Sequence, residues 1–293
     1  MSTLISNIVI VALFNTMPTA PPPTGSSSAE LLRRIQHMQV VGSVLYVAAH
    51  PDDENTRLLT YLSKGMGLNT AYLSMTRGDG GQNRIGTEQA ELLGVIRTHE
   101  LLRARDLDGA RQRFTRAQDF GYSKTPDETL ALWGHQAILG DVVGAIRRFR
   151  PDVIITRFND KGRNHGHHTA SAILAAEAFS AAADPKQFQE HKGAWQANRL
   201  LRNVSHWRLP KNADMSAFLK LDVGGYDPLL GVSYGELAGA ARSMHKSQGF
   251  GAERDRAQIH EYFERKAGSR AKGDVFEGID LSWSRLKGGQ AVA

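Results

Sequence analysis

Apolar and polar positions along this chain fall into blocks that predict alternating strands and helices. Ser43 to Ala49 is apolar on both faces, the pattern of a central parallel strand covered by helices on either side. Leu68 to Met75 and Asp152 to Arg157, with its core Val153-Ile154-Ile155-Thr156, predict two more strands. Leu31, Leu32 and Ile35 share a stripe in a short helix from Ala29 to Met38. Leu58, Leu59 and Leu62 share a face of a helix from about Asp53 to Lys64, with Gly65 as its stop. Glu88 to Arg105 predicts the clearest long helix, with Leu92, Leu93, Ile96 and Leu101 buried and Arg97 and Glu100 one turn apart, spaced for an ion pair. Gln136 to Phe149 predicts another helix, and Arg111 to Arg116 a short strand; Asp119 to Thr129 reads as polar and turn-rich. Further on come a helix from Ala170 to Ala182, strands from Asn198 to Trp207 and Phe218 to Val223, and a helix from Tyr234 to His245. The alternation predicts an α/β fold, a Rossmann-like three-layer sandwich around a mostly parallel sheet. Residues 1–28 read as a tail, 29–250 as the folded domain, and 251–293 as an irregular C-terminal extension.

The strand ends carry the chemistry. The first strand runs into His50-Pro51-Asp52-Asp53-Glu54, an imidazole followed by three acids in a row. Imidazole and carboxylate together suit a divalent metal such as zinc. The strand at Val153 is followed by His165-Gly166-His167-His168, at a strand-to-helix turn. In an open α/β sheet both turns reach the C-terminal edge, where ligands bind. The glycine-rich loop Thr76 to Gly86, with Arg77 and Asp79, follows another strand and reads as either a plain connection or a substrate-contacting loop; it lacks the spacing of a P-loop.

Composition narrows this chemistry. The chain has 293 residues, 41% hydrophobic and 23% charged, without cysteine, so thiolate metal sites and disulfides are excluded and any metal rests on His, Asp or Glu. Net charge is +6, but the arginines are dispersed and no aromatic-studded basic stripe accompanies them, so nucleic acid is not the expected partner. Ile8 to Phe14 is apolar but too short to span a bilayer, and Pro21 to Ser28 reads as a linker. A cytoplasmic location is favoured over export by a weak N-terminal signal, and a homo-oligomer is left open.

Ala49-His50-Pro51-Asp52-Asp53-Glu54 resembles the A-H-P-D-D-E signature of the LmbE-like (PIG-L) zinc deacetylases, which remove the N-acetyl group of N-acetylglucosamine conjugates. Thr76 to Gly81, Arg97-Thr98-His99-Glu100, Arg150 to Thr156 and His245-Lys246-Ser247-Gln248 resemble further motifs of that family, in its order. The resemblance implies that His50 and Asp53 are zinc ligands, with another divalent metal such as Fe2+ admitted, and that Asp52 is the general base. Placed on the family's H-x-D-H motif, His168 becomes the third ligand and His165 the residue assisting the transition state, as a cation. Arg77, Asp79 and Arg97 are the implied substrate contacts, while a structural role for Arg97 with Glu100 stands equally. The motif's Asp is His167 here, so His165 either depends on another carboxylate, with Asp160 a candidate, or exchanges roles with His167. Glu54 reads as a first-turn helix acid outside the chemistry. The expected activity is deacetylation of an amino-sugar conjugate; the alternatives are a non-catalytic carbohydrate-binding relative and a hydrolase of another N-acyl amide.

Overall fold

The structure, a computed structural model, describes residues 27–162, 165–205, 209–251 and 255–286. The expected tail therefore lies almost wholly outside the described residues. A seven-stranded sheet has the order β3-β2-β1-β4-β5-β9-β6. Its strands are β1 Ser43–Ala48, β2 Asn69–Ser74, β3 Arg111–Phe114, β4 Val153–Thr156, β5 Arg199–Val204, β6 Leu219–Asp222 and β9 His260–Gly268. A separate two-stranded ribbon pairs β7 Tyr226–Asp227 with β8 Val232–Ser233. β1 is parallel to both β2 and β4, and β3 and β5 extend the parallel set outward. β9 runs antiparallel between β5 and β6.

Alternation along β1 divides the core into two layers. Leu45 and Val47 face α5 (His135–Phe149) and α6 (Gly166–Ala181), packing with Ile138, Val142 and Leu174. Val44, Tyr46 and Ala48 face the opposite layer, with Leu58 and Leu59 of α2 (Thr56–Thr60) and Leu101 of α3 (Ala90–Asp108). Fully burying each such leucine contributes about 1.5–3 kcal/mol. The remaining helices are α1 (Ser28–His37), α4 (Pro126–Trp133) and α7 (Tyr234–Arg242), and Tyr61–Gly65 continues α2 as a π-helical turn. The mixed α/β architecture with a mostly parallel sheet is the one the pattern predicts. Among the described residues no helix is long and apolar enough to cross a membrane.

Three expectations need correction. Leu92 is 65% exposed, because the inward stripe of α3 is Leu93, Arg97, Leu101, Ala104, Arg105 and Asp108. That stripe is half polar, so apolar periodicity misplaced it by one residue. The segment read as turn-rich ends in the first turn of α4, capped by the Thr125 side chain with Pro126 in that turn. The extension read as irregular supplies β9, an internal strand of the sheet. Three of its charged residues find partners on the neighbouring strand and beyond: Glu264 with Arg202 at 2.7 Å, Glu261 with Asn203 at 2.8 Å, Lys266 with Asp160 at 2.8 Å. A charged strand of this kind has no apolar signature to read.

Candidate metal centre

The sheet order reverses between β1 and β4, since β2 follows β1 on one side and β5 follows β4 on the other. A crevice opens at such a reversal, beyond the C-terminal ends of the strands. The chain leaves β1 into His50–Glu54, and after β4 it reaches His165 at the N-cap of α6. Gly166 fits there because a Cβ would collide with the Thr125 carbonyl and the Ser123 hydroxyl. That close approach sets His167 and His168 in the first helical turn, facing the first motif.

His50, Asp53 and His168 bring one ligand atom each within 4.8 Å of one another. One Asp53 oxygen lies 3.0 Å from His50 Nδ1, and the other 3.4 Å from His168 Nε2. Burial opposes the Asp53 charge, but His168 and His50 outweigh it and hold the carboxyl well below its usual range. Burial likewise opposes the charge on His50, but Asp53, Asp119 and Asp52 raise its pKa. Two imidazoles and a carboxylate are the donor set of a three-ligand zinc or iron(II) site. His50, His165 and His167 form a second, overlapping group of the same compactness. The structure thus brings together His50, Asp53, His165 and His168.

Asp52 lies beside them, its Oδ1 accepting from Arg97 Nη2 at 2.5 Å. Arg97 also donates to the Gly78 carbonyl at 3.0 Å, across a turn in which Gly78 has φ +72° and a side chain would strike the guanidinium. Glu100, its expected partner, instead accepts from the main-chain N–H and hydroxyl of Ser247, both at 2.6 Å. The two residues of this motif therefore diverge, one to the first motif and one to the last. Glu54 is a further correction. Its helix begins only at Thr56 behind an Asn55 cap, and Glu54 is buried against His245 Nε2 at 2.7 Å and Arg105 Nη2 at 3.2 Å. Arg105 in turn binds Asp108, so a buried polar network underlies the site.

Position 167 departs from the expected pattern, and the structure shows what occupies the gap. His167 is fully buried among Phe120 at 4.4 Å, Trp133 at 4.8 Å and the His165 ring at 4.4 Å. Its Nδ1 lies 3.1 Å from His50 Nε2, and its Nε2 has no partner. Burial, then the charges of His50, His165 and His168, push its pKa down to about 2. The carboxylate at this cluster is Asp119, 3.6 Å from His167 and 3.8 Å from His50. Asp160, the candidate named from the sequence, is instead engaged by Lys266. Asp119 was given no role from the sequence, where it opens a polar, turn-rich segment after β3. His165 stacks on Tyr122 at 5.1 Å and meets the Ser123 main chain. Burial, then His50 and His168, lower its pKa, which disfavours the expected cation.

A cavity of about 420 Å³ opens beside Asp52, Asp53 and His168 and is lined further by Arg57, Arg157 and Arg242. Arg77 and Asp79 are not on it. They line a neighbouring cavity of about 530 Å³ with Val95 and His99, and the Arg77 guanidinium lies over the Phe114 ring.

Residues 45–179 match the family model described as PIG-L, GlcNAc-PI de-N-acetylase. A 1D-myo-inositol 2-acetamido-2-deoxy-alpha-D-glucopyranoside deacetylase of Geodermatophilus obscurus is 31% identical over 176 residues, covering 54% of this chain and 59% of the relative. The chain spans little more than half the length of the first such curated relatives, 59%, 52% and 61%. Among solved structures, the N,N'-diacetylchitobiose deacetylase of Pyrococcus horikoshii is similar with TM-score 0.52 and 18% identity, over 74% of this chain and 77% of that one. GalB, the 4-carboxy-2-hydroxymuconate hydratase of Pseudomonas putida, is similar with TM-score 0.56 and 16% identity, over 80% and 100%. These two likenesses establish the fold. The match to the PIG-L family model, over residues 45–179, falls on the strands and motifs that build the crevice.

Proposed function

We propose that this chain is a divalent-metal hydrolase that removes the N-acetyl group of an N-acetylglucosamine-type conjugate. The observation that carries the proposal is the placement of Asp52 on the cavity wall beside His50, Asp53 and His168, with Arg97 holding one of its oxygens. Those three ligands suit zinc, and iron(II) by the same donors. A metal held there supplies Lewis acidity toward the amide carbonyl and lowers the pKa of water.

The protein's own part follows from the geometry. Asp52 Oδ1 is fixed by Arg97, leaving Oδ2 to take the proton of the attacking water. Asp52 then returns that proton to the nitrogen as the C–N bond breaks, giving acetate and a free amine. His165, its Nδ1 accepting from the Ser123 main-chain N–H and its ring stacked on Tyr122, donates from Nε2 a hydrogen bond to the carbonyl oxygen as charge builds on it. Substrate contact at Arg77 and Asp79 requires a conjugate long enough to reach the neighbouring cavity.

Acetate release from a panel of N-acetylglucosaminides tests the activity, with Asp52→Asn as the informative variant. The parent should release acetate, and the variant should keep its metal while losing about 10²–10⁴-fold in rate. A variant as active as its parent removes Asp52 from the mechanism, and a metal-loaded parent that releases no acetate removes the activity.

A further inference from the structure

We infer that this chain has a second position for a divalent transition metal, across the His50 ring from the first, held by His50, His165 and His167 with Asp119. His50 stands between two donor sets. Its Nδ1 faces Asp53 at 3.0 Å, within the first set, while its Nε2 faces His167 Nδ1 at 3.1 Å. Asp119 turns one oxygen to each of these imidazoles, 3.6 Å from His167 Nδ1 and 3.8 Å from His50 Nε2. His165 joins the group, with one nitrogen within 4.8 Å of the other two ligand atoms. Two donors on one tetrahedral zinc, each about 2.0–2.1 Å from it, stand about 3.4 Å apart. The second set keeps that spacing much as the first does, where Asp53 lies 3.0 and 3.4 Å from its two histidines. His167 stands where the H-x-D-H motif has its acid, so the third imidazole of the set comes from this chain's own substitution.

The surroundings suit either use of the shared ring. With an ion on Nδ1, His50 carries its proton on Nε2 and donates it to His167. With an ion on Nε2, the proton sits on Nδ1 and Asp53 accepts it. His165 has the same freedom. Its Nδ1 meets both the N–H and the carbonyl of Ser123, at 3.3 and 3.2 Å, so Nε2 can carry either a proton or a lone pair. A neutral His50 offers one lone pair, so the two positions compete for one ion. They differ in access. Asp53 and His168 line the cavity of about 420 Å³, and none of the four residues of the second set does. Three imidazoles and a carboxylate fill all four positions of a tetrahedral zinc, as in a closed site. On the reading of that cavity as the substrate site, an ion in the second position is out of reach of substrate. It also takes the His165 nitrogen that the proposed reaction needs as a donor.

Zinc binding to the full chain, first stripped of metal, tests the inference by titration calorimetry and elemental analysis. His168→Ala removes a ligand of the first set and leaves the second whole, so this variant should still take up about one zinc per chain. Its affinity should fall about tenfold or more when either His167→Ala or His165→Ala is added. Circular dichroism reports whether each metal-free double variant folds. His165 is half-buried, so its arm stands even where the buried His167 proves necessary for folding. A His168→Ala chain that no longer binds zinc overturns the second position. Zinc bound by His168→Ala with affinity unchanged in the folded double variants overturns it too. Acetate release does not enter these readouts. A parent that binds zinc and hydrolyses nothing sinks only the proposed activity, and a zinc-free His168→Ala beside an active parent sinks only the second position.

Discussion

Replacing Arg105 with Met removes the cation that joins Glu54 to Asp108 beneath the motif loops. Arg105 contacts Glu54 at 3.2 Å and Asp108 through both Nε and Nη2, and its own side chain is 4% exposed. Both acids have 0% side-chain exposure, so water cannot replace the guanidinium and no discount for solvent screening applies. Removing one partner of such a buried group costs about 3–5 kcal/mol. For a chain of this size that lowers Tm by roughly 10 °C. Met matches the length of the stem, so the loss reports charge rather than a cavity. The pH dependence has a definite sign. Burial already raises the pKa of Asp108 against the pull of Arg105, and without Arg105 it rises further. A carboxyl whose folded pKa exceeds its unfolded one favours the fold at low pH and loses that contribution as pH rises. The cost of Arg105→Met is therefore greatest at neutral pH and shrinks toward acid. Melting curves of metal-free parent and variant across that range provide the measurement. A neutral-pH Tm within about 2 °C of the parent, or a deficit that grows on acidification, refutes the reasoning.

Three further outcomes are expected. The His50→Ala/His168→Ala double variant should lose the roughly one divalent ion per chain that elemental analysis finds in the parent, with its fold retained by circular dichroism. Arg97→Lys cannot reach Asp52 and the Gly78 carbonyl together, so kcat for acetate release should fall about tenfold or more with KM little changed; a rise in KM alone marks Arg97 as a substrate contact instead. His167→Asp sets a second carboxylate against Asp119, 3.6 Å away in the parent, in a buried site, and should destabilise the chain by about 1–3 kcal/mol; Asp119→Asn in the same chain should recover most of it, as urea denaturation would report.

The parallel half of the fold was legible because its strands are covered on both faces and must be apolar throughout. Val44 to Ala48 and Val153 to Ile155 show this in any window. The antiparallel half was not, since β9 places charges where Arg202, Asn203 and Asp160 answer them across space. The motif residues were legible as types but not as partners. Arg97 and Glu100 have the spacing of a helix-surface pair, and only the tertiary fold shows one reaching Asp52 and the other Ser247. Glu54 misled for the same reason: an acid near a helix start satisfies a local rule, while its actual partners, His245 and Arg105, lie far along the chain. Asp119 opens a segment read as polar and turn-rich, and only the tertiary fold brings it to His50 and His167.

The fold does not choose the reaction, since one architecture here is shared with a protein named as a deacetylase and with one named as a hydratase. What distinguishes this chain is how it fills the place of the motif acid. A metal-ligating histidine ordinarily sends its other ring nitrogen to a carboxylate or carbonyl, which fixes the ring. In this chain His50 Nε2 faces His167 Nδ1 at 3.1 Å, with Asp119 behind it. A neutral imidazole can accept that hydrogen bond, and burial keeps His167 neutral. Asp119 supplies the negative charge the motif has lost, from a loop after β3 instead of from α6. The exchange keeps one carboxylate beside His50 and His167 and adds one neutral acceptor. On that accounting a carboxylate remains at the cluster around His50 despite the substitution at 167.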